Sequence, residues 1–81
     1  MIAIVMDKQK FLKLYRTGKR VFDGVVLQGL DLSGTNLERT ILNKVDLSNT
    51  NLQNAQLESA EFNYLDLTNA NLSGANLDYT K

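Results

Sequence analysis

The chain has 81 residues, with no cysteine, no histidine and equal numbers of basic and acidic side chains. That length allows one domain whose globular core would be marginal without staples. The missing residue types remove disulfides, thiolate metal sites and the commonest general base. The neutral sum hides a split, because residues 1–20 hold Lys8, Lys10, Lys13, Arg16, Lys19 and Arg20 against Asp7, a net +5, and residues 21–81 hold eight acids against Arg39, Lys44 and Lys81, a net −5. The two parts of the molecule therefore differ in electrostatic sign, which bears on partners and orientation and not on fold.

The start, Met1 to Met6, is apolar for only six residues with no basic stretch before it. It is too short for a signal peptide or a membrane span, so a soluble, cytoplasmic protein is expected. A short helix follows. Asp7 suits the N-cap, Phe11, Leu14 and Tyr15 share one face at helical spacing, and Gly18 suits the position after the last turn. Residues 1–20 are read as a leader whose helix caps what comes next. A solenoid needs such a cover over its first edge. The polar face, with Lys8, Lys10, Lys13 and Arg16, offers a second reading as a dock for an acidic partner or membrane surface, which so short a helix does not favour.

Residues 21–81 are dominated by internal repetition. Of fourteen Leu or Phe residues there, twelve fall at one phase of a five-residue period: Phe22, Leu27, Leu32, Leu37, Leu42, Leu47, Leu52, Leu57, Phe62, Leu67, Leu72 and Leu77. Leu30 and Leu65 are the exceptions. On a helix, residues five apart step about 140° round the axis and make no stripe. On a flat strand they alternate between faces and make no buried side. The period places every leucine inside only if the chain turns a corner once per repeat.

The remaining positions agree with a coil. Two residues before each leucine the side chain must also look inward, and there stand Val25, Leu30, Val45, Ala55, Ala60, Leu65, Ala70 and Ala75, with Thr35, Thr40 and Thr50 also small. Arg20 breaks this rule at the opening of the first repeat. The leucine's immediate neighbours are mainly Asp, Asn, Gln, Glu, Ser and Thr, as outward positions require. Two residues after the leucine comes the corner, with Gly24, Gly29, Gly34, Asn49, Asn54, Asn69 and Gly74, residue types that tolerate positive φ.

Asp31-Leu32-Ser33-Gly34, Ala70-Asn71-Leu72-Ser73-Gly74 and Ala75-Asn76-Leu77 resemble the A(D/N)LXX motif of pentapeptide-repeat proteins. Twelve such repeats run without a gap from Arg20 to Tyr79, and the segment Phe11 to Phe22 resembles the leader helix and Gly turn of many bacterial, often cyanobacterial, members. The resemblance implies an all-β solenoid: a right-handed quadrilateral parallel β-helix of about three coils, with a short N-terminal capping α-helix. Sequence alone leaves the four sides open. A twenty-residue coil stacks Asn43 on Asn63, Asn49 on Asn69 and Asn51 on Asn71, whereas a fifteen-residue coil stacks Asn36 on Asn51 and Asn54 on Asn69. With four sides, coils about 4.8 Å apart make a rod of roughly 14 Å whose interior is filled with leucine.

The C-terminal end is expected to be bare after Leu77, so a homodimer through the last coil, around Leu67, Leu72 and Leu77, is expected, with Tyr64 and Tyr79 as corner aromatics near it. Under twenty-residue stacking Glu38, Glu58 and Asp78 form one acidic column and Asp46 and Asp66 another. Glu38, Glu58, Asp78, Tyr64 and Tyr79 are therefore the candidate interaction surface. Carboxylates in a vertical ladder point parallel and do not converge as a calcium cage needs. No catalytic, cofactor-binding or metal-binding residues are assigned. The reading is a non-enzymatic structural or protein-interaction module with a protein partner and neither nucleic acid nor membrane. The alternative is a DNA mimic that modulates DNA gyrase, as some members of the resembled family do. Duplex DNA carries a charge every ~1.7 Å, about eight along such a rod, and the eight acids here are scattered over four faces.

Overall fold

The computed structural model describes residues 3–81, and Met1 and Ile2 of the apolar start lie outside the described residues. In chain order the elements are β1 (Ile4–Val5), α1 (Lys8–Arg16), β2 (Val21–Asp23), β3 (Val25–Val26), β4 (Ile41–Asn43) and β5 (Glu61–Asn63). β2, β4 and β5 form a parallel sheet in which Phe22, Leu42 and Phe62 lie in one register. Single parallel bridges carry the same step around the other sides, pairing Asp46 with Val26 and Asp66, Asn51 with Asp31 and Asn71, and Gln56 with Asn36 and Asn76. All these partners are twenty residues apart, so the chain adopts the twenty-residue stacking and not the fifteen. Each twenty-residue level is called a tier below.

Backbone groups that a single pentad cannot satisfy are satisfied between tiers. The leucine N–H donates to the next tier, as from Leu27 to the Asp46 carbonyl at 2.8 Å and from Leu52 to that of Asn71 at 2.7 Å. Corner N–H groups do the same, Asn49 to the Thr68 carbonyl at 2.8 Å and Ser59 to that of Asp78 at 2.9 Å. The corner residue has positive φ in every repeat, and this includes Arg39, Lys44, Ser59, Tyr64 and Tyr79 as well as the Gly and Asn positions. On three sides the leucine carbonyl also accepts from the N–H three residues on, the turn that a positive φ at its third position closes.

The fourth side differs for a local reason. In most repeats an Asp or Asn precedes the leucine, and its Oδ1 accepts the N–H two residues later, as Asp46 does from Ser48 at 2.9 Å and Asn51 from Gln53 at 3.0 Å. That side-chain turn competes with extended backbone. Val21, Ile41 and Glu61 stand at the same position on the fourth side and cannot make it, and there the three-residue strands β2, β4 and β5 form.

The core is the column of inward residues. Phe22, Leu27, Leu32, Leu37, Leu42, Leu47, Leu52 and Leu57 are buried, with Val25, Val45, Ala55 and Ala60 filling between them. Thr40 and Thr50 are buried too, their hydroxyls donating to the carbonyls of Leu37 at 3.0 Å and Leu47 at 2.8 Å, so neither polar atom is left unpaired.

At the N-terminal end α1 closes the mouth of the first tier. Asp7 caps it by accepting from the Lys10 N–H at 2.8 Å. Lys19 N–H to Leu14 O and Gly18 N–H to Tyr15 O, with Gly18 at φ 112°, terminate it in a Schellman motif. Phe11 is the buried plug, its ring 4.7 Å from that of Phe22. Leu14 and Tyr15 pack partly buried against the core. Beyond the expected helix, β1 adds a strand: Ile4 and Val5 pair in parallel with Val25 and Val26, and the Met6 N–H donates to Val26 O. The leader thus joins the ladder itself, with α1 standing where a preceding tier's other sides would run.

Candidate interaction surface

Local turns position the outward side chains. Seven Asp or Asn residues ahead of the leucine hold the next outward N–H in place: Asp31, Asn36, Asp46, Asn51, Asp66, Asn71 and Asn76. Asp31 also accepts from the Ser33 hydroxyl at 2.7 Å and Asp66 from the Thr68 hydroxyl at 2.6 Å. These hydroxyl and backbone donors hold the Asp31 and Asp66 carboxyls below the usual aspartate range. The Asp46 and Asp66 column is therefore occupied with its own turns. Asn43 and Asn63 stack as a side-chain pair, Nδ2 to Oδ1 at 2.7 Å.

The acidic column of Glu38, Glu58 and Asp78 is brought together. Asn36 and Asn76 fix the N–H groups of Glu38 and Asp78, and the corner bonds from Arg39 to Glu58 O and from Ser59 to Asp78 O stack the three levels. The Glu58 carboxyl is raised above the usual glutamate range, first by burial, then by its hydrogen bond to and repulsion from Glu38, with Asp78 adding charge. Tyr79 is at the corner immediately after this column, and Tyr64 is one corner further round, beyond the β2–β4–β5 side. Both are almost fully exposed, at 85% and 88%. Four of the five candidate surface residues thus share one edge, and Tyr64 stands apart from it.

The last tier is packed less fully than the others. Leu37 and Leu57 are buried and Leu77, in the same column, is 42% exposed. Phe62, Leu67 and Leu72 are only partly buried against the core, although Phe22, Leu47 and Leu52, one or two tiers above, are buried. Among the described residues no further tier lies below to accept the N–H groups of Leu67, Leu72 and Leu77.

Two features escaped sequence reasoning. The strand β1 carried only a two-residue signal, Ile4 and Val5, inside a short apolar start. Arg20, at an inward position, does not enter the core: its guanidinium lies 3.8 Å from the Tyr15 ring and its Nη1 donates to Tyr15 O at 2.7 Å and Lys19 O at 3.1 Å. The Tyr15 hydroxyl in turn donates to Glu38 O at 2.9 Å and Asn36 Oδ1 at 3.3 Å, which ties α1 to the first tier. The two open hollows described both lie against α1. One is lined by Asp7, Gln9, Lys10, Lys13, Leu14 and Thr17, the other by Leu12, Tyr15, Arg16, Arg20, Thr35 and Asn36. Among the described residues no three acidic side chains are arranged to hold a metal ion, and no helix is long and apolar enough to cross a membrane.

No curated protein matches the chain. The crystal structure at 1.7 Å of alr5209, a pentapeptide repeat protein from Nostoc Pcc 7120, is similar over 100% of this chain and 90% of its own, with a TM-score of 0.53 and 19% identity, a likeness of fold. The family model for pentapeptide repeats matches residues 21–55 and 50–81 in eight copies. With the five-residue leucine phase, the positive-φ corners and the twenty-residue parallel ladder, that match establishes that the chain belongs to the pentapeptide-repeat family.

Proposed function

We propose that the chain is a cytoplasmic, non-enzymatic protein-interaction module, built as a right-handed four-sided β-helix of about three coils, whose last coil pairs with a second copy. Right-handedness follows from the strong preference of connections between parallel strands of one sheet. The observation that carries the proposal is the change in burial along one column, from 1% exposed at Leu57 to 42% at Leu77. The partly exposed apolar face of the last tier is one that a second copy, bringing an identical face, can cover. The outward columns of carboxylate, amide and hydroxyl groups, held by local turns, give a rigid polar face to a protein partner. The eight acids of the repeats are spread over four faces with three basic residues among them, where a DNA mimic would need them aligned, which favours the interaction module over the gyrase-directed alternative.

Sedimentation equilibrium tests the proposal. The wild-type chain is expected to dimerise with increasing concentration, and Leu77→Glu is expected to stay monomeric with an unchanged far-ultraviolet spectrum. A strict monomer for both at millimolar concentration overturns the self-association. A gyrase supercoiling assay with inhibition at stoichiometric protein would overturn the choice of function.

A further inference from the structure

We infer that the cleft between α1 and the first tier is the docking site for an acidic segment of a partner protein, one that carries an apolar side chain beside its carboxylates. The inference rests on the interaction-module reading and gives that module a site and a partner chemistry.

The cleft has a volume of about 550 Å³, within the usual range for ligand sites, and is lined by Leu12, Tyr15, Arg16, Arg20, Thr35 and Asn36. None of these is acidic, and two are arginines. Arg16 is exposed on α1. Arg20 is held in place, with one ring face of Tyr15 beneath it and its Nη1 bonded to two carbonyls, so its remaining N–H groups are left for an acceptor from outside. Asn36 Oδ1 is taken by the Tyr15 hydroxyl and the Glu38 N–H, which leaves its Nδ2 as a donor. Thr35 spends its hydroxyl on Leu32 O at 2.6 Å. The side-chain protons still available in the cleft are those of Arg16, Arg20 and Asn36 Nδ2, two of these groups cationic, beside the apolar wall of Leu12. An arginine fork already fixed by stacking loses little freedom when it binds a carboxylate.

Charge selects the partner. The leader carries +5 and the repeats −5, so an acidic group is drawn to this end of the molecule and away from the rest. Glu38 follows Asn36 by two residues on the same edge and Glu58 lies one tier below Glu38, with the Glu58 carboxyl already raised partly by its neighbours. A nucleic acid strand continuing past the cleft meets this column, whereas a short acidic peptide that ends in the cleft avoids it. The second hollow contains Asp7 among its lining residues and lacks an arginine.

The test is a titration of the ¹⁵N-labelled chain, read by amide chemical shifts, with three peptides of equal length: alternating Glu and Leu, alternating Gln and Leu, and alternating Lys and Leu. The Glu–Leu peptide is expected to shift the amides of residues 12–20 and 35–36, with affinity falling as salt is raised, and the other two to leave them unchanged. Arg16→Glu, a surface change, is expected to weaken binding at least tenfold while the remaining spectrum is preserved. Arg20→Lys, which keeps the charge and loses the planar stack, is expected to weaken it as well. Equal response to the Gln–Leu peptide, no response at millimolar Glu–Leu peptide, or tighter binding of a single-stranded oligonucleotide of the same charge each overturns the inference. If a partner identified for the wild-type module binds Arg16→Glu undiminished, the cleft is wrong and the module stands. If the peptide binds the cleft and the chain neither dimerises nor retains a partner, the module's last-coil edge is wrong and the cleft stands.

Discussion

Leu57 and Leu77 occupy the same inward column one tier apart, and truncating each to alanine should have unequal effects. Leu57 is 1% exposed and sealed above and below by Leu37 and Leu77, so Leu57→Ala removes buried carbons and leaves a closed void. Such changes cost about 2–5 kcal/mol. Leu77 is 42% exposed and its loss opens no sealed space. Counting only the apolar surface it withdraws from water, Leu77→Ala should cost about 1 kcal/mol. With a urea slope of about 1 kcal/mol per molar for a chain this small, the unfolding midpoint should fall by roughly 2 M or more for Leu57→Ala and by about 1 M for Leu77→Ala. Measured at low protein concentration, equal shifts would refute the claim that the last tier is loosely held. Raising the concentration adds a second reading: pairing through the last coil makes the Leu77→Ala loss grow, while that of Leu57→Ala stays constant.

Other consequences follow from the turns, the cap and the acidic column. Gly34 and Gly74 share a corner column at φ 67° and 72°, and alanine at either should cost about 1–2 kcal/mol for its left-handed backbone. Gly74→Ala should cost more, because its Cβ would meet the side-chain amide of Asn54 whereas that of Gly34 faces open space, an ordering that thermal midpoints would check. Tyr15→Phe removes the hydroxyl that joins α1 to Glu38 O and should cost about 1 kcal/mol in urea unfolding, with faster amide exchange in α1 than in β4. For Glu58, the folded pKa lies above the unfolded value near 4.5, so the folded state binds more protons in that window and stability falls as pH rises through it. Glu58→Gln should abolish that fall. Asp66 shows the opposite sign: its lowered pKa gives stability that is present above 3.8 and lost as pH falls through the folded value, and Asp66→Asn should flatten that acid limb. Thermal midpoints between pH 2 and 7 read both, and parallel curves for wild type and variants would refute the assignments.

The repeat array was legible because each pentad states the same inside, outside and corner positions in its own residues. A leucine every fifth position, a small residue two before it and a Gly or Asn two after it specify a corner once per repeat, wherever the segment lies. Arg39, Lys44 and Ser59 carry no such signal and still adopt positive φ, each with its N–H bonded to a carbonyl of the next tier, and Tyr64 and Tyr79 adopt the same conformation in the last tier. The acidic column could be written down once a twenty-residue step was assumed. Its edge neighbour Tyr79 followed from the same step, and so did the separation of Tyr64.

What the local sequence could not settle was which residues meet across tiers and what becomes of the two ends. Asn pairs at twenty and at fifteen residues were nearly balanced, and only the backbone ladder, formed between groups far apart in the chain, selects twenty. The sequence determined the pentad, its buried leucine and the helical leader. The tertiary structure decided that Ile4 and Val5 join the ladder as β1, that Arg20 turns away from the core to stack on Tyr15, and that burial fades from Leu57 to Leu77. The division has one physical cause: a pentad's conformation is set by its own side chains, but its hydrogen-bond partners and its cover belong to neighbouring tiers, and a tier at the edge of a stack has a neighbour on one side only.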